Sequence, residues 1–201
     1  MKTKIIIPIF PLSGIIFFPK TNLPLNIFEP RYIEMIDYAL ISNSNIGMIQ
    51  QRENGVLYSI GCMGKITSCQ KTSEGGYLIN LVGEDCFKLK NEIELKKIFR
   101  LAEVKIYLKQ NNRDVLDLNK FKTFDLLREY KQFMTDRGLE VNLNYFNQAK
   151  KTNIIKFIAM TTPFSSAEKQ MLLESVSVKD LFNKLITLLQ CYNLVGSSSI
   201  N

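Results

Sequence analysis

Between Phe10 and Met35 the chain reads FPLSGIIFFPKTNLPLNIFEPRYIEM, with prolines at 11, 19, 24 and 30. Proline fixes φ and offers no N–H, so this stretch cannot form one long helix. It reads as short strands broken by turns, Ile15 to Phe18 and then Leu23 to Phe28. Pro30 fits the first position of a helix, where its missing N–H would have no partner anyway. Beyond it Tyr32, Met35, Ile36, Ala39 and Leu40 fall at i, i+3, i+4, i+7 and i+8, the spacing of one apolar helix face. An apolar strand-and-turn segment feeding an amphipathic helix is therefore built into the opening residues.

Residues 1–109 continue in the same manner. After a helix over residues 30–42, Ile46 to Gln51 is a short apolar strand. Asn54-Gly55 supplies a tight turn, because this pair tolerates positive φ. Strands follow over Ile60–Ser68, Tyr77–Val82 after a Glu74-Gly75-Gly76 turn, Cys86–Leu95 and Arg100–Leu108. Six or more short strands with one helix suggest a closed or nearly closed barrel, which hides its sheet edges. Residues 110–117 form a polar joint, Gln-Asn-Asn-Arg-Asp-Val-Leu-Asp. Past it the period becomes helical, and residues 118–195 read as a bundle. Its helices are expected over 118–137, ended by Gly138; near 144–149; over 152–161; over 166–174, opened by a Ser165/Glu168 capping box; and over 178–193, capped by Ser177 and Asp180. Residues 196–201 read as a flexible tail. The fold class is thus α+β, in two lobes.

The sequence contains no histidine, which removes the commonest general base, pH switch and metal ligand. Cys62, Cys69, Cys86 and Cys191 form no C-x-x-C pair, so buried thiols are expected rather than a zinc site or a disulfide framework. No metal or cofactor is expected. The net charge of +7 is dispersed, with 14 basic and 10 acidic groups in residues 1–110 and 12 and 9 in the rest. Only six of the 26 basic residues are arginine, whereas nucleic-acid readers lean on arginine forks. The N-terminal Lys2, Lys4 and following apolar run mimic a secretory signal, but their prolines and the lack of a small-residue cleavage site oppose it. With no apolar run near the ~18 residues of a membrane span, the expected location is cytoplasmic.

Several motifs together resemble the Lon N-terminal, substrate-binding domain family. They are FPL at Phe10–Leu12, FP at Phe18–Pro19, LPL at Leu23–Leu25 and FEPRY at Phe28–Tyr32. Gly61-Cys62-Met63-Gly64-Lys65-Ile66 is similar to the family's G-x-x-G-x-I strand, and Tyr77–Gly83 followed by Phe87 to its second hairpin. The family often carries Arg before that Phe; here Cys86 stands there. Pro163-Phe164-Ser165 and Glu168–Glu174 resemble the late helix of small stand-alone bacterial Lon-domain proteins. The resemblance implies a PUA-like pseudo-barrel and a non-enzymatic module that engages unfolded or hydrophobic polypeptide, or a protease or chaperone partner. It implies no ATPase and no Ser–Lys protease chemistry in these residues.

Within the signature, Phe28, Glu29, Pro30, Arg31 and Tyr32 are assigned to structure. Glu29 and Arg31 are expected to be partnered in a dense apolar setting, with Tyr32 packed inward. The Gly61–Lys65 segment fails as a phosphate loop, since Ile66 follows the lysine and Ser59 stands where the first glycine belongs. Aromatic and methionine side chains at Phe133, Met134, Phe157, Met160 and Met171 fit a bundle core, a minority of them left to line an adaptable groove. The two functional expectations are polypeptide binding, through an apolar cleft between lobes or a free strand edge, and RNA binding by analogy with PUA-like barrels. Catalytic residues are not expected. The sequence names neither the binding residues, the partner nor the oligomeric state.

Overall fold

The structure is a computed structural model and describes residues 4–94, 96–107 and 122–198. Six strands, β1 (Ile5–Leu12), β2 (Asn22–Ile27), β3 (Asn45–Gln51), β4 (Leu57–Lys71), β5 (Tyr77–Ile93) and β6 (Arg100–Ile106), are joined by one helix, α1 (Pro30–Ile41). The helices α2 (Thr123–Thr135), α3 (Lys151–Thr161), α4 (Ser166–Leu173) and α5 (Val178–Ser198) follow, with a 3-10 turn at Leu143–Phe146. The class is α+β, as expected. By packing, the chain divides into two units: Met1–Leu108 with Phe164–Leu173, and Lys109–Pro163 with Glu174–Asn201.

In the first unit the sheet runs β2-β5-β4-β3-β1-β6, and β6 returns to pair with β5. Five strands therefore close a ring, which satisfies their ladders without open edges. The β1–β3 pairing is parallel and α1 forms part of the crossover between them; the other pairs are antiparallel. Inside the ring Ile7, Ile9, Ile49, Met63, Phe87, Ala102 and Val104 form a buried cluster. Gly61 is needed for close approach, because a Cβ there would lie 2.5 Å from both the Met48 carbonyl oxygen and the Phe87 ring.

β5 is long enough to serve three neighbours. Its first half, to Val82, pairs with β2 and its second half, from Phe87, with β6, while β4 lies along most of its length. The two strands expected over residues 77–82 and 86–95 are thus one strand, bent at the irregularity that separates the Cys62/Cys86 and Gly64/Gly83 pairs. β4 likewise runs past the end of β3 to Lys71. Together β2, the first half of β5 and the last residues of β4 form an arm projecting from the ring.

Two local expectations fail. Residues 15–18 are not a strand: they run irregularly, yet Ile16, Phe17 and Phe18 are buried. Gly83 holds this segment in place of a ladder, its N–H donating to the Thr21 carbonyl and its carbonyl accepting from the Lys20 N–H. Leu40, expected on the inner face of α1, is exposed; Tyr32, Met35, Ile36 and Ala39 alone are buried there.

The second unit is helical. Leu126, Tyr130 and Phe133 of α2, Phe146, Ile154, Ile155 and Ile158 near α3, and Leu181, Leu185 and Leu189 of α5 are buried. Asn193 on α5 donates to the Glu129 carbonyl and carboxylate on α2. Gly138 adopts φ +70° and lets the Leu139 N–H return to the Met134 carbonyl, the stop expected for α2. The joint expected at residues 110–117 lies outside the described residues, as do Leu108, Leu118, Phe121 and the last three residues of the tail. Residues 196–198, expected in that tail, belong to α5.

Segment Phe164–Leu173, expected within the bundle, instead groups with the sheet. The Ser165/Glu168 capping box forms as expected: the Glu168 carboxylate accepts from the Ser165 N–H at 2.8 Å, and the Ser165 hydroxyl accepts from the Glu168 N–H at 3.3 Å. What assigns α4 to the sheet is a buried amide pair. Gln50 Nε2 donates to the Ser166 carbonyl and to Gln170 Oε1, Gln170 Nε2 donates to the Ile60 carbonyl, and Gln50 Oε1 accepts from the Gly14 N–H. Four backbone segments meet through two side chains.

Candidate functional site: an exposed apolar face on the sheet arm

The signature residues occupy the corner between β2 and α1. Pro30 opens the helix, and the Glu29 carbonyl accepts the first bonds, from the N–H groups of Tyr32 and Ile33. Tyr32 is buried against Phe10, ring centroids 4.2 Å apart, and burial pushes its phenol above the ordinary value. Arg31 reaches Glu29 at 2.8 Å and lies over the Tyr32 ring at 4.5 Å. The pair is formed, but its setting is not the one expected. Arg31 and Glu29 side chains are 55% and 44% exposed, so this is a surface ion pair rather than a buried one.

Phe28 departs further from a structural role, for it is 71% exposed. The strand phase explains why. Along β2, Asn22, Pro24 and Asn26 face solvent while Leu23, Leu25 and Ile27 turn inward. Phe28 continues the solvent phase one residue past the strand end. Asn26 pairs with Leu78 on β5, which is 48% exposed, so Phe28 stands diagonal to Leu78 across the arm. Pro24, Phe28 and Leu78 thus share one outer face, interspersed with Asn26 and Asn80, with Gln70 opposite Leu78 on β4. Sequence reasoning missed this face, although the alternation NLPLNIF carries the signal.

The strand beside that face is an edge strand. Among the described strands, β2 pairs only with β5, which leaves its other edge without a strand partner. Pro24 removes one donor from this strand, a device that discourages indiscriminate pairing. Asp37 on α1 accepts from the Tyr77 hydroxyl at 2.6 Å, fixing the helix to the start of β5.

A concavity of about 650 Å³ lies within the same unit, lined by Ser13, Arg52, Glu53, Tyr58, Ser165 and Ser166 among others. Arg52 stacks over Tyr58 at 4.6 Å. The Ser13 hydroxyl donates to the Gln51 carbonyl, and that of Ser165 to the Glu168 carboxylate as part of the cap of α4. Among the described residues no group of three or more cysteine, aspartate or glutamate side chains could hold a metal. Cys62 and Cys86 are buried as expected, but Cys69 and Cys191 are exposed. Of the aromatic and methionine candidates in the helices, Phe133 is core, whereas Phe157 and Met171 are exposed. Lys4–Glu103, Lys97–Glu34 and Arg100–Glu92 pair bases with acids, while Lys88 and Lys105 stand opposite one another across β5 and β6.

Comparison with known proteins agrees with this fold. Residues 6–191 match the family described as the ATP-dependent protease La (LON) substrate-binding domain. The Lon protease of Bacillus thuringiensis is 22% identical over 195 residues, covering 92% of this chain and 24% of that protein. Lon protease 1 of Borreliella burgdorferi is 26% identical over 203 residues, covering 91% and 25%. The chain therefore spans about a quarter of the length of these relatives. Among solved structures, the N-terminal domain of Mycobacterium avium complex Lon protease superposes with a TM-score of 0.66 at 18% identity, covering 92% of this chain and 98% of that one. The Lon N-terminal domain protein from Xanthomonas campestris gives 0.61 at 17% identity, with the same coverage. No helix among the described residues is long and apolar enough to cross a membrane. The fold and the match across nearly its whole length place this chain in the LON substrate-binding domain family.

Proposed function

We propose that the chain is a non-catalytic, cytoplasmic recognition module that binds extended, apolar segments of unfolded polypeptide on the outer face of its sheet arm. The observation that carries this reading is the exposure of Phe28 inside the family signature, beside Leu78 and the strand edge of β2. A soluble domain gains nothing in stability from a large exposed aromatic, and a cluster of such residues marks an interaction surface. An extended segment can pair with the β2 edge through its backbone while its apolar side chains cover Phe28, Leu78 and Pro24. Sequence-tolerant recognition follows, since backbone pairing and apolar burial do not read side-chain identity closely. The family match supports substrate recognition; handing the bound segment to a protease or chaperone partner is part of the same proposal.

The test is binding of a permanently unfolded protein, such as reduced and alkylated lactalbumin, to wild type, Phe28→Ser, Leu78→Ser and the control Val56→Ser. Val56 is exposed at the β3–β4 turn, away from the arm. Burying a phenylalanine is worth about 1.5–3 kcal/mol, so Phe28→Ser should weaken binding about ten- to a hundredfold. Binding should change little between 50 and 200 mM salt, whereas an RNA-binding surface with six to ten phosphate contacts would lose roughly 10³–10⁵ in affinity. Equal affinity of Phe28→Ser and Val56→Ser for the unfolded protein would overturn the assignment of the face. Tight, salt-sensitive binding of a structured RNA, with none to unfolded protein, would replace the reading altogether.

A further inference from the structure

Two of the four cysteines, far apart in the sequence pattern, are brought directly opposite one another. Cys62 on β4 is the cross-strand partner of Cys86 on β5, and both stand as buried thiols, 0% and 2% exposed. Directly opposed residues project from the same face of a sheet. The kind of pair follows from backbone bonding. In an antiparallel ladder a residue's N–H and C=O point to the same neighbouring strand. The Cys86 carbonyl accepts from the Tyr107 N–H at 2.7 Å, just past the end of β6. Its polar groups therefore face away from β4, and Cys62–Cys86 is a non-hydrogen-bonded pair. Such pairs bring their Cα atoms to about 4.5 Å and their side chains to closest approach. That separation falls inside the range of about 4.4–6.8 Å that a disulfide spans. A ladder irregularity adjoins the pair, between Cys62/Cys86 and Gly64/Gly83, and bends the strand there.

We propose that Cys62 and Cys86 form an oxidation-sensitive dithiol site that closes to an intramolecular cross-strand disulfide when a hydroperoxide oxidant reaches it. One thiolate attacks a peroxide oxygen; an S–O bond forms, the O–O bond breaks, and the departing hydroxide takes up a proton to become water. The second thiolate then attacks the resulting sulfenic sulfur; the S–S bond forms and the hydroxyl leaves as water. Two thiols and one hydrogen peroxide become one disulfide and two waters, the sulfurs oxidised and the peroxide reduced. The pair lies where the arm leaves the ring, so the bond would tie β4 to β5 at the root of that arm. This inference does not depend on what the arm binds.

The experiment uses the full chain carrying Cys69→Ser and Cys191→Ser, which removes the two exposed thiols. The protein is exposed to hydrogen peroxide, both in buffer and in urea just below its unfolding transition, then alkylated under full denaturation and analysed by intact mass and peptide mapping. The expected result is loss of two hydrogens per chain, a peptide joining Cys62 to Cys86, reversal by dithiothreitol, and a higher unfolding temperature than the reduced protein. Cys86→Ala in the same background should form no intramolecular link. Recovery of two separately alkylated thiols in both conditions, or their advance to unlinked sulfinic acids, overturns the proposal.

Discussion

The buried amide pair makes a quantitative demand. Gln50 and Gln170 are almost fully buried and lie 120 residues apart in sequence, yet they bond to each other at 3.0 Å. Gln170→Met keeps most of the side-chain volume but removes the acceptor for Gln50 Nε2 and the 3.1 Å donor to the Ile60 carbonyl. A net hydrogen bond is worth about 1 kcal/mol, and a buried group left unpaired costs about 1–3 kcal/mol. The substitution should therefore cost about 2–4 kcal/mol, an unfolding temperature lower by roughly 5–15 °C for a protein of this size. Gln50→Met should cost at least as much, because it strips bonds from Gly14, Ser166 and Gln170. The double variant should fall short of the summed losses by about 1 kcal/mol, since both singles remove the same Gln50–Gln170 bond. Urea unfolding followed by far-UV circular dichroism and tyrosine fluorescence measures all four corners of the cycle. A loss below about 0.5 kcal/mol, the scatter of surface substitutions, or strict additivity, would refute the view that these amides hold α4 to the ring.

Two further outcomes are open to measurement. Arg31→Ala should cost no more than about 1 kcal/mol, because the pair with Glu29 is solvent-exposed and screened, whereas a buried pair would have cost about 3–5 kcal/mol; chemical denaturation distinguishes the two. Burial holds the Lys169 ammonium below its ordinary value of 10.5, so the folded chain sheds that proton before the unfolded chain does. In the window between the lowered value and 10.5 the unfolded state binds more protons, and the Lys169 contribution to stability therefore rises with pH. The stability of wild type relative to Lys169→Met should increase as pH rises toward 10.5; a flat or falling difference contradicts the sign.

How much could be read in advance is best seen residue by residue. Pro30 and the spacing of Tyr32, Met35, Ile36 and Ala39 specify α1 and its buried face, because a helix N-terminus and an apolar stripe are local properties. The capping boxes at Ser165/Glu168 and Ser177/Asp180, the Asn54-Gly55 turn and the Gly138 stop are legible for the same reason. Even the exposed phase of β2, and with it Phe28, follows from alternation once Asn22, Pro24 and Asn26 are taken as its outer residues.

Other features have no local signature. Residues 15–18 carry strand-forming side chains, yet Gly83 captures the adjoining turn through backbone bonds that no propensity encodes. The helical period of Ser166–Leu173 is right, but period alone does not say which core an amphipathic helix will cover; Gln50, Ile60 and Gly14 decide it from more than a hundred residues away. The same holds for charge: Glu29 and Arg31 lie in sequence between buried Ile27 and Tyr32, and only the packed corner shows that their own side chains reach water. The sequence by itself determined dihedral preferences, caps, turns and the two hydrophobic periods, since these depend on a few neighbouring residues. Tertiary structure alone decided which core α4 covers, which thiols meet and which charged pair reaches water, because each depends on chain segments that become neighbours only on folding.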